Sequence, residues 1–276
     1  MDTTPADDAD PRTIGRFAVM GRLGVGAMGV VYAAYDPQLD RKIAVKLLKP
    51  TEQDADPRWQ HRLLREAQAL AKLSHPNVVQ IHEVGSHGDA VFVAMEFVTG
   101  VTVRTWLSEQ TRSWREVVGV FVQAGRGLAA AHAAGLVHRD IKPENFLVGA
   151  DGRVRVVDFG LVRFDEDDDV AAARTAELLQ GAALASPTRT APGMLVGTPA
   201  YMSPEQYRGR PADALSDQFS FCVAVYEALF GERPFAGANA LEISRSVLSG
   251  QVAQRSDRHA PAWLSRAVLR GLHGDP

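Results

Sequence analysis

Gly24, Gly26 and Gly29, spaced as G-x-G-x-x-G, are the first residues along the chain whose pattern could do chemistry. Glycines let the backbone approach a polyphosphate closely and turn its N–H groups toward the oxygens. The motif alone is weak: at about 7% glycine per position, roughly one chain of this length in ten matches by chance. A plain hairpin turn accounts for it equally well. Among phosphate-binding arrangements, a dinucleotide fold sets the motif between a strand and a helix. Here Gly24-Val25-Gly26-Ala27-Met28-Gly29 runs into Val30-Val31-Tyr32, β-branched and aromatic, so strand–loop–strand fits better. Lys46 ends the run Ile43-Ala44-Val45-Lys46. By itself it reads as an alternating exposed charge; after a glycine-rich hairpin it suits a cation for the phosphates, and a flexible ammonium needs an anion to fix it. Glu66, in Arg65-Glu66-Ala67 on the helix predicted next, suits that ion pair, although alone it would be a solvated helix charge.

His138-Arg139-Asp140-Ile141-Lys142-Pro143-Glu144-Asn145 carries more information. His, Arg, Asp and Asn at these offsets arise by chance in about one chain in several hundred. With the glycine loop and Lys46 upstream, the chain resembles the eukaryotic-like (Hanks-type) serine/threonine protein kinases of bacteria. The resemblance implies Asp140 as the base that takes the proton of the acceptor hydroxyl, Lys142 beside the γ-phosphate, and Asn145 as a metal ligand. Asp158-Phe159-Gly160 follows 18 positions after Asp140. Val154-Arg155-Val156-Val157 before it reads as a strand, so Asp158 is expected at a strand end, where a hard carboxylate suits Mg²⁺ (or Mn²⁺) shared with phosphate oxygens.

By the same resemblance, Val93-Ala94-Met95-Glu96-Phe97-Val98 is a hinge, with Met95 as gatekeeper and the backbones of Glu96 and Val98 bonded to adenine. Leu23, Val31, Ala44 and Leu147 would sandwich the ring, and Gly24, Gly26, Ala27 and Gly29 would cover the ATP phosphates. Ordinary core packing is the plainer reading of the apolar members. Gly197-Thr198-Pro199-Ala200-Tyr201-Met202-Ser203-Pro204-Glu205 resembles the peptide-binding loop, with Ser203 where the family has alanine. Thr198 is expected near Asp140 and Lys142. Asp217 resembles the aspartate that anchors the catalytic loop. Between Gly160 and Gly197 lies a segment longer than the family's, with the acidic run Asp165–Asp169, a helix possible over Val170–Leu179, and Ser186, Thr188 and Thr190 as candidate autophosphorylation sites. Such a loop is expected to be disordered until phosphorylated, and Arg139 to bind the phosphorylated form.

The elements that must hold these residues follow from periodicity. Arg16–Met20, Val30–Tyr35 and Lys42–Leu48 read as strands, residues 57–73 as an amphipathic helix, and Val78–Val84 and Ala90–Phe97 as strands. Beyond Gly100 the pattern is mostly helical: Trp114–Ala134, Gln218–Phe230, Leu241–Ser249 and Pro261–Leu272. Strands followed by helices imply an α+β, two-lobed architecture. The expected division is a disordered leader over residues 1–13, an ATP-binding lobe over 14–99 and a catalytic, substrate-binding lobe over 100–276. The resemblance implies one more helix after Pro276, carrying an arginine that would pair with Glu205.

The 276 residues, 46% hydrophobic and 23% charged, suffice for a buried core. A net charge of -3 favours neither nucleic acid nor a polybasic membrane surface as partner. The single cysteine, Cys222, excludes an intramolecular disulfide and reads as a buried small hydrophobe. No apolar run is long enough to span a bilayer, and the acidic N-terminus is no secretory signal. The expected site of action is therefore the cytoplasm, with room for a membrane anchor outside this stretch. The expected activity is transfer of the ATP γ-phosphate to Ser/Thr hydroxyls of proteins in bacterial signalling. The resemblance also allows a transient homodimer for autophosphorylation in trans. A pseudokinase scaffold would need a lesion at Lys46, Asp140, Asn145 or Asp158, and there is none. A kinase-like small-molecule phosphotransferase would not need the 197–205 segment.

Overall fold

The computed structural model describes residues 10–26, 29–48, 59–159, 198–252 and 260–273. The chain divides into two compact units, one holding residues up to His75 together with Val79–Thr99, the other Pro76–Val78 and everything from Gly100.

The first unit is a six-stranded antiparallel sheet in the order β1-β2-β3-β4-β6-β5, formed by β1 (Thr13–Ile14), β2 (Phe17–Gly26), β3 (Gly29–Asp36), β4 (Arg41–Leu48), β5 (Ile81–His87) and β6 (Ala90–Glu96). Strand alternation sorts its faces. Ile43, Val45 and Leu47 of β4 join Ile14, Phe17, Tyr32, Phe92 and Ala94 in one apolar cluster. Phe92 meets Phe17 edge-on at 5.9 Å. Gly85 makes room for that ring, since a Cβ there would lie 2.6 Å from it. The alternate residues Ala44 and Lys46 therefore belong to the other face. Helix α1 (Trp59–Ala71) packs on β5 and β6, with Leu63, Ala67 and Leu70 buried at helical spacing.

The leader expected over residues 1–13 does not hold for residues 10–13, and residues 1–9 lie outside the described ones. The Arg12 carbonyl accepts the Val19 N–H at 3.0 Å, Thr13 pairs with Ala18, and the Asp10 carboxylate takes bonds from Arg22 and, at 3.1 Å, from the Tyr32 hydroxyl. Backbone pairing and an ion pair hold residues 10–13 where composition alone suggested a solvated tail.

The second unit is built on α3 (Trp114–Ala133) and α5 (Ala214–Phe230), which pack together. A capping box between Ser113 and Glu116 starts α3; Asp213 caps α5, and Gly231, in the left-handed region, ends it. Before α3 come β7 (Gly100–Thr102) and α2 (Val103–Glu109); between α3 and α5 come β8 (Phe146–Gly149), β9 (Val154–Val156) and α4 (Pro204–Tyr207). The helices α6 (Ala240–Ser249) and α7 (Ala262–Arg270) follow. Phe121, Phe146 and Phe221 form an edge-on aromatic cluster with centroids 5.6–6.3 Å apart. Pro76–Val78 joins this unit because the Asn77 amide donates to the Val154 carbonyl at 2.8 Å and the Asn77 carbonyl accepts from Val156 at 2.9 Å. Gly127 of α3 allows the approach, because a Cβ there would strike the Asn77 carbonyl.

The two-lobed α+β expectation holds. The helix foreseen over 57–73 is α1, its first two residues lying outside the described ones, and the four later helices appear with ends shifted by a few residues. The short α2, α4, β7 and β8 went unforeseen. The acidic run, the helix considered over Val170–Leu179, and Ser186, Thr188 and Thr190 all lie outside the described residues.

Candidate active site

Gly26 faces Gly29 across the hairpin that joins β2 to β3, so the glycine motif sits between two strands. Its members differ physically. Gly29 has φ +144°, and a Cβ there would collide with the Leu47 carbonyl, so the sheet itself demands glycine. Gly24 has nothing within 4 Å of a would-be Cβ. Packing within the fold does not require glycine at 24. Gly29→Ala is expected to destabilise the chain by about 2 kcal/mol or more, and Gly24→Ala by under about 0.5 kcal/mol; thermal melts of the two variants check this. Ala27 lies outside the described residues. Leu23, in the bulge between Arg22 and Gly24, is 53% exposed, so it is no member of the core.

Register gathers the other first-unit candidates on one face. Val31 stands opposite Lys46, and Lys46 opposite Val93; Ala44 stands opposite Met95. Directly paired residues share a face, so Val31, Ala44, Lys46 and Met95 lie together, away from the apolar cluster. Lys46 is only 7% exposed. A lysine taken so far out of water is costly unless an anion compensates it. Position 66 on α1 falls in helical register with Leu63 and Leu70; the Glu66 side chain is outside the described residues. Glu96 ends β6, its N–H given to the Gln80 carbonyl at 2.9 Å, and Val98 follows in backbone outside any strand or helix.

In the second unit, the segment 138–145 is held from several sides. The Asp217 carboxylate, 1% exposed, accepts the N–H of His138 at 2.7 Å and of Arg139 at 2.8 Å, and bonds His132 Nε2 at 2.8 Å. This grip holds Arg139 in the left-handed region at φ +67°, which a non-glycine residue adopts only when its surroundings impose it. The His138 ring is fully buried. Its Nδ1 accepts the Asp140 N–H at 3.3 Å, which fixes the proton on Nε2 for the Val157 carbonyl at 2.9 Å. Burial keeps its pKa below the usual histidine value, so the ring is a neutral strut. It packs on Phe159 at 4.7 Å and so ties the turn at Asp140 to the residues either side of Asp158, itself at φ +58°.

Within that frame three candidates meet. Lys142 Nζ donates to Asp140 Oδ2 at 2.6 Å, and Asn145 Nδ2 donates to the Asp140 carbonyl at 2.7 Å and to Oδ2 at 3.2 Å. The Asn145 carbonyl accepts the Val157 N–H at 2.9 Å, and Asp158 is the next residue. The Asn145 amide nitrogen is committed to Asp140. The amide oxygen of Asn145 and the carboxylate of Asp158 are hard oxygen donors, the kind Mg²⁺ takes alongside phosphate and water. Leu147 lies on β8 opposite Arg155.

Three features escaped the sequence reading. His132 sits in the Ala-rich stretch of α3 with no local mark of its partner 85 positions away. Ser203 caps α4 together with Gln206, whose amide reaches back to the Arg139 carbonyl at 3.2 Å. Arg104 of α2 donates to Glu144 at 2.8 Å, to Glu227 at 3.1 and 3.2 Å, and to the Tyr201 hydroxyl. Burial works against the charge on Arg104, but its bonds to Glu227 and Glu144 outweigh it and raise its pKa above the ordinary guanidinium value. Glu205, expected to await an arginine, accepts the Ser216 hydroxyl. Thr198 opens the turn Thr198–Tyr201, its side chain outside the described residues. Cys222 is half-buried, and burial raises its thiol to about 11, consistent with an inert thiol.

A small antiparallel sheet unit bearing a glycine hairpin and a buried lysine, and a larger helical unit bearing this loop, are the architecture of the protein kinase fold. The family model for the protein kinase domain matches residues 17–268, and the chain belongs to that family. It is similar to the serine/threonine-protein kinase PknL of Mycobacterium tuberculosis, 38% identical over 242 residues that make up 87% of this chain and 56% of that protein. It is 37% identical to PknA of the same species over 83% of this chain and 50% of that protein. With PrkC of Bacillus subtilis it shares 32% identity over 96% of this chain and 38% of that protein. The chain thus spans about half the length of the curated relatives it matches. None of the described helices is long and apolar enough to cross a membrane.

Proposed function

We propose that this chain transfers the γ-phosphate of ATP to serine or threonine hydroxyls of proteins, in bacterial signalling and in the cytoplasm. The observation that carries the reading is the bonded cluster of Asp140, Lys142 and Asn145, on a backbone strained at Arg139 and anchored by Asp217. The acceptor oxygen attacks the γ-phosphorus, the bond to the β-γ bridging oxygen breaks, ADP leaves, and the hydroxyl proton passes to the Asp140 carboxylate. Lys142, 2.6 Å from that carboxylate, stands where it offsets the charge spread over the phosphoryl oxygens. Asn145 and Asp158 hold Mg²⁺ or Mn²⁺, which neutralises phosphate charge when bound. Lys46, with Glu66 as its anion, takes the inner phosphates; Gly24, Gly26, Ala27 and Gly29 cover them. Leu23, Val31, Ala44 and Leu147 sandwich the adenine, with Met95 as gatekeeper, and the backbones of Glu96 and Val98 bond it. The proposed working division remains residues 14–99 for ATP and 100–276 for catalysis and acceptor binding.

The experiment is incubation with labelled ATP, Mg²⁺ and a generic protein acceptor, followed by mass-spectrometric mapping of phosphosites. Label is expected on serine and threonine of the acceptor and, through a transient homodimer, on one or more of Ser186, Thr188 and Thr190. Label confined to small hydroxyl compounds, or ATP binding without transfer, would replace this reading with a small-molecule phosphotransferase or a scaffold. An active preparation without phosphate on those three residues would remove the autophosphorylation part alone.

A further inference from the structure

Arg104 joins the two segments that an acceptor peptide has to touch. Glu144 lies four positions after Asp140 in the turn Pro143–Asn145, with 43% of its side chain exposed. Tyr201 closes the turn Thr198–Tyr201 of the 197–205 segment. The guanidinium of Arg104 bonds both, and its other edge takes Glu227 of α5 in a fork of two bonds. Tyr201 in turn donates to Glu227 at 2.5 Å. A second arginine, Arg233, stands 3.4 Å from Glu227 and over the Tyr201 ring. Two carboxylates and two guanidiniums therefore balance. Among the described residues Arg104 is the one cation on Glu144, while Glu227 has both arginines.

Planar carboxylate pairs of this kind are what an arginine fork recognises. Without Arg104, Glu144 would lose its cation while Glu227 kept Arg233, so the two carboxylates would present a net negative charge beside the acceptor path. Resting on the reading of Asp140 as base and 197–205 as the peptide-binding segment, we propose that Arg104 is a specificity-determining residue. It occupies in cis an acidic subsite formed by Glu144 and Glu227, and so closes it to arginine side chains of the acceptor. The wild-type chain then gains nothing from an arginine near the phosphorylated residue, and loss of Arg104 opens the subsite.

The test compares pairs of serine peptides, the members of each pair differing only by arginine or alanine at one of the three positions either side of the serine. Binding is read by fluorescence anisotropy and transfer by kcat/KM, for the wild type, Arg104→Ala and Arg104→Ala with Glu144→Gln. The wild type should treat the two peptides within about twofold. Arg104→Ala should favour the arginine peptide by about tenfold or more at one position, the size expected for a charge-assisted pair. Adding Glu144→Gln should remove most of that gain. A strut role alone would weaken both peptides equally and leave their ratio unmoved, and that result, or a wild type that already favours arginine, overturns the inference. Should Arg104→Ala fail to fold, Arg104→Lys serves, since one ammonium cannot bridge both carboxylates; its ratio should rise about threefold, and an unchanged ratio again overturns the inference. Anisotropy separates the two layers of the argument. Selective binding without transfer would sink the kinase reading and leave the subsite; transfer without a changed ratio would do the reverse.

Discussion

Asp140→Asn should lower the rate of phosphoryl transfer by about a thousandfold or more while ATP binding stays within about threefold. The amide keeps the shape of the carboxylate and can still bond Lys142 through its oxygen. What it loses is the lone pair proposed to accept the acceptor's proton, and the charge that Lys142 faces at 2.6 Å. A thousandfold corresponds to about 4 kcal/mol at the transition state, the scale of general base catalysis and beyond the scale of a lost surface ion pair. The residues proposed to hold ATP are untouched, so calorimetric titration with nucleotide separates loss of chemistry from loss of binding. A variant whose turnover stays within tenfold of the parent would show that the proton goes elsewhere.

Much of this frame was legible in the chain. The hairpin could be read because β-branched and aromatic residues follow Gly29 directly, and the face bearing Lys46 because Ile43, Val45 and Leu47 alternate with Ala44 and Lys46. Local period and local chemistry carry such information. The short strands β7 and β8 have too few residues for a period, and only tertiary pairing sets their register, β7 on β8 and β8 on Val154–Val156. The links that brace the catalytic segment join residues far apart: Gln206 to Arg139 across 67 positions, Arg104 to Glu227 across 123. No spacing rule reaches that far, so these contacts became visible only in three dimensions. Composition misplaced Asp10 for a related reason, since its partners Arg22 and Tyr32 lie on a strand pair that a linear reading sees only as apolar alternation.

Asp217→Ala should produce the second large effect, on stability and rate together. The carboxylate is buried and serves the His138 and Arg139 N–H groups and the His132 ring at 2.7–2.8 Å. Alanine leaves these donors without that acceptor, in a place water reaches poorly. Each buried donor left unmet costs about 1–3 kcal/mol, and the left-handed Arg139 loses the grip that offsets its strain. A total near 3–5 kcal/mol is expected, as for other broken buried charge networks. At about 2–4 °C per kcal/mol for a chain of this class, the melting midpoint should fall by roughly 10 °C or more. The rate should fall further than stability requires. Asp140, the proposed base, is the residue after Arg139, and a misplacement of about 1 Å at a catalytic group costs about a hundredfold. Turnover measured well below the variant's melting point isolates that loss from unfolding. Asp217→Asn keeps one oxygen as acceptor, so it should fall between parent and alanine in both melting point and rate. If Asp217→Ala melts within a degree of the parent and turns over at the parent's rate, the segment around Asp140 is organised by its own sequence, and the anchoring role of α5 is wrong.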